Sequence, residues 1–178
     1  NVSVIVVPYS VSKPPFITGK DKILHGETYT FSYTDTTNYT YADLTVTVGG
    51  VPVTPTEANG VYTIENVTGA IVITATQTPN TYNVTFDEKN TATVTGDNTA
   101  TYGTPYIFTV TPSKDDMAIE DVKVTDAEGN EIPYTINENG EYVIEGTDIT
   151  GEFTITVTEK EKMTTVTFSG IEATEIEG

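Results

Sequence analysis

The sequence contains no cysteine, no tryptophan and no arginine, and it has a single histidine, His25. Without cysteine no disulfide can brace a small domain, and no thiolate is available as nucleophile or metal ligand. One histidine and no cysteine leave zinc sites and Ser-His or Cys-His nucleophilic arrangements short of parts. His25, beside Gly26, reads as a surface turn residue. The eight basic residues are all lysines, and against 26 Asp plus Glu they leave a formal charge of -18. Nucleic acid and anionic membrane surfaces demand a basic patch, so neither is an expected partner. No run approaches the roughly 18–20 apolar residues of a membrane-spanning helix, and no signal peptide is legible. Opening on Asn1, the sequence reads as one from which a leader or an upstream domain has been removed.

Threonine is heavily over-used, and Val, Ile and Tyr are abundant. These residues are stiff at χ1 or aromatic and fit a half-buried pleated surface. The composition therefore predicts an all-β fold.

One stretch organises the rest: Gly60-Val61-Tyr62-Thr63-Ile64, then a turn through Asn66 to Gly69, then Ile71-Val72-Ile73-Thr74. It returns as Gly140-Glu141-Tyr142-Val143-Ile144 and Gly151-Glu152-Phe153-Thr154-Ile155. Upstream, Gly19, Gly26, Tyr29 and Phe31 correspond to Gly96, Gly103, Tyr106 and Phe108 at a spacing of 77, and Leu44 and Val46 to Val122 and Val124 at 78. The offset grows to 80 and then 82 only across expected loops, where insertions are tolerated. This predicts repeats over residues 1–80 and 81–160. Val166-Thr167-Phe168 matches Val84-Thr85-Phe86, so residues 161–178 read as the start of a third repeat or as exchanged C-terminal strands.

Within the first repeat, residues 2–7 are expected as a strand ended by Pro8, and residues 10–15 as a loop. Tyr29, Phe31 and Tyr33 alternate with Thr30 and Ser32, the period of a strand with one buried face. Gly49-Gly50 marks a hairpin into Val51-Pro52-Val53, and Pro52 and Pro55 put that strand at an edge or shorten it. Residues 34–40 are expected as a polar loop, and residues 115–120 as at most one helical turn. About seven short strands per repeat read as a β-sandwich.

The pattern Gly-x-x-Tyr-x-Phe, an alternating Val strand, Gly-x-Tyr-x-Ile and Gly-x-Ile/Phe-x-Ile resembles the immunoglobulin-like repeats of Gram-positive, especially clostridial, cell-surface proteins. The resemblance covers residues 1–160 and the start of the third copy, and its motifs mark core and turn positions. It implies two tandem immunoglobulin-like β-sandwich domains, extracellular or attached to the cell wall, in a spacer, adhesive or scaffolding role.

For chemistry the sequence offers little, and the chain is expected not to be an enzyme. Tyr33, Tyr39 and Tyr41 cluster about a loop and could stack on a glycan or a host partner. Asp126, Glu128, Asn130 and Glu131 gather oxygen atoms of the kind calcium takes, and Asp115, Asp116, Glu120 and Asp121 form a second acidic group. Lys13, Lys20, Lys22 and Lys89, with Asn66, are the candidates for a Lys-Asn isopeptide bond. Expected partners are neighbouring repeats of one array, or identical subunits if residues 164–178 complete a neighbour's sheet as a donor strand. The alternatives to a spacer are thus a self-assembling fibre subunit and a carbohydrate-binding module.

Overall fold

The computed structural model describes residues 6–87 and 89–163; among these the regular elements are strands and one 3-10 turn, Gly146–Asp148. The chain divides into two compact units. The first runs to Tyr82 and takes in Thr101–Thr104 and Gly146–Thr150; the second holds Asn83–Ala100, Pro105–Glu145 and the residues from Gly151 on.

In the first unit β1 (Tyr9–Ser12), β3 (Lys22–Ile23), β5 (Tyr39–Val48), β6 (Val51–Pro52) and β9 (Ile71–Pro79) form a sheet of order β3-β1-β9-β5-β6. A second sheet is ordered β2-β4-β8-β7, from β2 (Ile17–Thr18), β4 (Tyr29–Tyr33), β7 (Thr56–Ala58) and β8 (Val61–Ile64). Ile23, Val46, Ile71 and Ile73 of the one sheet and Ile17, Tyr29, Phe31 and Ile64 of the other belong to one buried cluster. The two sheets therefore enclose a single core, as a sandwich does. The alternation that predicted β4 decides its facing, since Tyr29 and Phe31 are buried and Thr30 is exposed. At the hairpin Gly49 and Gly50 both have positive φ, 58° and 82°. Side chains rarely adopt that sequence of angles, and it suits the twist of the paired strands.

The second unit repeats the plan. One sheet is β12-β10-β17-β14, from β10 (Thr81–Phe86), β12 (Thr99–Thr101), β14 (Met117–Asp126) and β17 (Phe153–Glu161). The other is β11-β13-β16-β15, from β11 (Thr93–Thr95), β13 (Tyr106–Thr111), β15 (Thr135–Ile136) and β16 (Tyr142–Ile144). Residues aligned by the sequence repeat occupy matching places. Phe31 stacks on Tyr62 at 5.0 Å, and Phe108 on Tyr142 at 5.0 Å. Val67 and Ile149, 82 residues apart, are both fully buried.

Several expectations need correction. The expected strand at residues 2–7 falls partly outside the described residues; Val6 and Val7 lie in no strand and are exposed. Among the described residues the first strand is β1, most of it within the expected loop, because pairing to β3 and β9 gives its backbone partners that local propensity does not reveal. Residues 115–120 form no helical turn, since β14 begins at Met117 and pairs with β17 as far as Asp126. The polar loop after β4 is shorter than expected, because β5 already begins at Tyr39. In the organising stretch, β8 and β9 belong to different sheets, so the turn between them crosses the sandwich rather than closing a hairpin. The expected third copy lies, from residue 164, outside the described residues.

Phe108, 1% exposed, is central to the second core. Phe108→Ala is expected to cost about 3–5 kcal/mol and to remove that unit's transition in differential scanning calorimetry. Tyr62→Ala, at a half-buried position, lowers the first unit's transition by less.

Candidate functional site

The tyrosine cluster is assembled by β4 and β5. Tyr33 and Tyr41 stack face to face, with ring centroids 3.9 Å apart and planes 8° apart. The stack is closed on both sides. Phe16 lies 5.6 Å from Tyr41, and Tyr62 meets Tyr33 edge-on at 5.7 Å. Tyr62 in turn stacks on the buried Phe31, so a run of rings leads from the core to the surface. The Tyr41 hydroxyl donates to the Asp35 carbonyl at 2.8 Å and accepts from Gln77 Nε2 at 3.1 Å. Burial, with Tyr62 and Tyr41 alongside, raises the pKa of Tyr33. Tyr39 does not join this stack; its ring partner is Tyr102, edge-on at 5.3 Å. Faces spent on one another leave Tyr33 and Tyr41 little open surface on which a sugar could stack. Phe16 and Tyr62 complete the cluster; Tyr62 comes from β8, beside β4 in the same sheet, and Phe16 from just before β2, and sequence reading missed both because neither is near Tyr33 or Tyr41 along the chain. In the second repeat the stacked positions are Val110 and Ile119.

The acidic hairpin between β14 and Ile132 uses its oxygens on itself. Asp126 accepts from the backbone N–H groups of Glu128 at 3.0 Å and Asn130 at 2.8 Å, and from Asn130 Nδ2 at 2.9 Å. Those bonds, the Asn130 amide first, hold its carboxyl below the usual range. Glu131 pairs instead with Lys123, at 2.6 Å. Glu128 is exposed at the tip. Thus the Asp126 carboxylate and Asn130 are brought together as acceptor and donor, and Glu131 is drawn away. In the second acidic group, Glu120 lies 3.9 Å from Lys160. Among the described residues no three or more His, Asp or Glu side chains converge in a way that could hold a metal ion.

The same self-use recurs. Asp35 accepts from the N–H groups of Thr37 and Asn38, and Asn137 from those of Asn139 and Glu141. These are Asx-type turns. Lys13 is ion-paired with Asp21 at 2.6 Å, and His25 Nδ1 lies 3.1 Å from the Tyr9 hydroxyl on the surface.

Each unit also carries a shallow groove beside its long strand. The first, about 380 Å³, is lined by Leu44, Val46, Pro52, Val53, Pro55 and Tyr62 among others. The second, about 410 Å³, has Val122, Lys123, Glu131, Ile132, Pro133 and Tyr134 in its wall. The same backbone bond flanks both, from Val53 N to Val46 O and from Ile132 N to Val124 O, each 2.9 Å. The framework is shared, but one lining is apolar and the other carries an ion pair.

If Asp126 serves its turn, Asp126→Ala lowers the second unit's melting temperature, and equally with calcium or with chelator. A decrease seen only with calcium present would return the hairpin to the list of cation sites.

Titration supplies a second test. Burial, then the Asp97 charge, pushes Tyr106 up to about 12, and burial also raises Tyr29, Tyr134 and Tyr142. The folded chain holds these protons more tightly than the unfolded chain. Their contribution is complete below the unfolded tyrosine value of about 10 and is lost as pH rises through the folded values. Denaturant midpoints should therefore fall above that pH, with delayed tyrosinate absorbance. At the acid end Asp21, Asp35 and Asp126 are lowered, chiefly by bonds from Lys13, Asn38 and Asn130. Their contribution is present above the unfolded value of about 4 and is lost as pH falls through the lowered ones.

In comparisons with known proteins, no family model, curated protein or solved structure matches this chain.

Proposed function

We propose that the chain is an extracellular or cell-surface structural module, a spacer or adhesive stalk built of two tandem immunoglobulin-like β-sandwich domains and without catalysis. The observation that carries this reading is which features recur between the repeats and which do not. The buried tyrosine, the stacked Phe–Tyr pair and the strand orders return, less the edge strand β6. The features that could bind something do not: the Tyr33–Tyr41 stack becomes Val110 and Ile119, and the Gly49-Gly50 turn becomes the acidic hairpin. A repeat that keeps its framework while its surface varies suits a module whose task is to fold and to span distance. The charge of -18 suits a soluble surface that repels its neighbours.

Light scattering after size-exclusion chromatography, on the full chain and on a chain ending at Lys160, tests the reading. Monomers in both cases are expected. Polymers from the full chain alone would sink the spacer and make residues 164–178 the donor strand of a fibre subunit.

A further inference from the structure

We propose that each unit is a mechanical clamp, arranged so that tension along the chain shears its first strand against its last. This rests on the stalk reading for the source of the load; the arrangement itself belongs to each unit separately.

In the first unit β1 and β9 are parallel neighbours, with Val11 opposite Ile71 and Ser12 opposite Val72. In the second β10 and β17 are parallel neighbours, with Val84, Thr85 and Phe86 opposite Phe153, Thr154 and Ile155. The chain comes in at the start of one strand and leaves from the end of the strand beside it. In a parallel pair those two points lie at opposite ends of the shared ladder. Pulling them apart loads every rung together, along the strands. Had the two strands been antiparallel, the loaded points would share one end and the rungs would break one at a time. Single hydrogen bonds contribute only about 0.5–1.5 kcal/mol each, so simultaneous loading is what makes a short ladder resist force. Resistance to pulling is set by the unfolding barrier, not by equilibrium stability. The last strand is secured behind the clamp by its long antiparallel partner, β5 for β9 and β14 for β17. The first strand is therefore the part that yields.

The second clamp is extended by side chains. Beyond β10, Asp87 N donates to Ile155 O at 3.0 Å, and Asn90 Nδ2 donates to the same carbonyl at 3.1 Å. Val157 N donates to Asn90 Oδ1 at 2.7 Å. The Asn90 carboxamide thus stands where the next peptide group of a longer β10 would be. Thr156 Oγ1 adds a bond to Asp87 Oδ2 at 3.1 Å.

The absence of cysteine makes the test clean, because an introduced cysteine is a unique attachment point. One handle is fixed at the N-terminus and the other at Lys162→Cys, which loads both units along their clamps, or at Glu128→Cys. Glu128 lies in the hairpin after β14, whose end pairs with the start of β17 through Asp126 and Phe153. With that handle the second unit is pulled across β10 and β17 rather than along them, while the load on the first is unchanged. In single-molecule force spectroscopy the end-to-end geometry should give two unfolding events. Moving the handle to Glu128 should lower the second unit's force and leave the first unit's in place. Asn90→Ala should lower the second unit's force in the end-to-end geometry alone, and Thr156→Val replaces it if that variant fails to fold. Equal forces for the second unit in both geometries, or an equal loss from Asn90→Ala in both, would overturn the clamp. Neither result touches the stalk reading, which stands or falls on the state of association.

Discussion

Each unit depends on one buried phenol. Tyr29 and Tyr106 sink their rings into the core, yet each hydroxyl must keep a partner, since an unpaired polar group there would cancel much of what the ring's burial contributes. The partners are main-chain carbonyls: Lys20 for Tyr29, at 3.0 Å, and Asp97 for Tyr106, at 2.6 Å. The bond draws the turn after β2 or β11 down onto the core. It also dictates the residue before that carbonyl, because a Cβ on Gly19 or Gly96 would land on the phenol itself. In a chain without disulfides this clasp ties together segments that local propensity leaves loose.

Much of the fold was legible because it depends on local pattern. Tyr29, Thr30 and Phe31 announce their facing by alternation, and Gly49-Gly50 announces a turn that only glycine enters freely. The repeat itself was visible because glycines and buried aromatics cannot be exchanged without refitting their neighbours. What stayed hidden depends on distant partners. Tyr9–Ser12 has little strand character of its own and becomes β1 because Lys22–Ile23 and β9 flank it. The clustering of Tyr33 with Tyr41 was legible, but their stacking was not, since it depends on how one sheet lies over the other. The destination of Asp126 was hidden for a different reason. A carboxylate that closes its own turn and one that awaits a cation share the same sequence signature, and only hydrogen-bond geometry separates them.

Charge plays little part in the interior. Among the described residues no charged side chain is buried, and the acids whose titration is shifted are held by hydrogen bonds and an ion pair at the surface. The threonine hydroxyls of the outer faces are spent in the same way, Thr45 with Thr74 at 2.6 Å and Thr18 with Ser32 at 2.7 Å. Cross-strand pairs of this kind add stability in small increments. The molecule thus separates two tasks. Apolar packing defines each sandwich, while the charged groups stay at a strongly acidic exterior.

The position of the final strand in each unit has a consequence for how the protein is made. β9 lies between β1 and β5, and β17 between β10 and β14, so the last long strand of each repeat to be synthesised belongs inside its sheet rather than at an edge. Until it emerges, the earlier strands lack the partner that joins them, and the core cannot close. Such long-range pairing is intrinsically slow to form. A chain moving out N-terminus first would therefore stay unfolded, and able to thread a narrow channel, until nearly a whole unit had passed, and would then close in one late step on the far side.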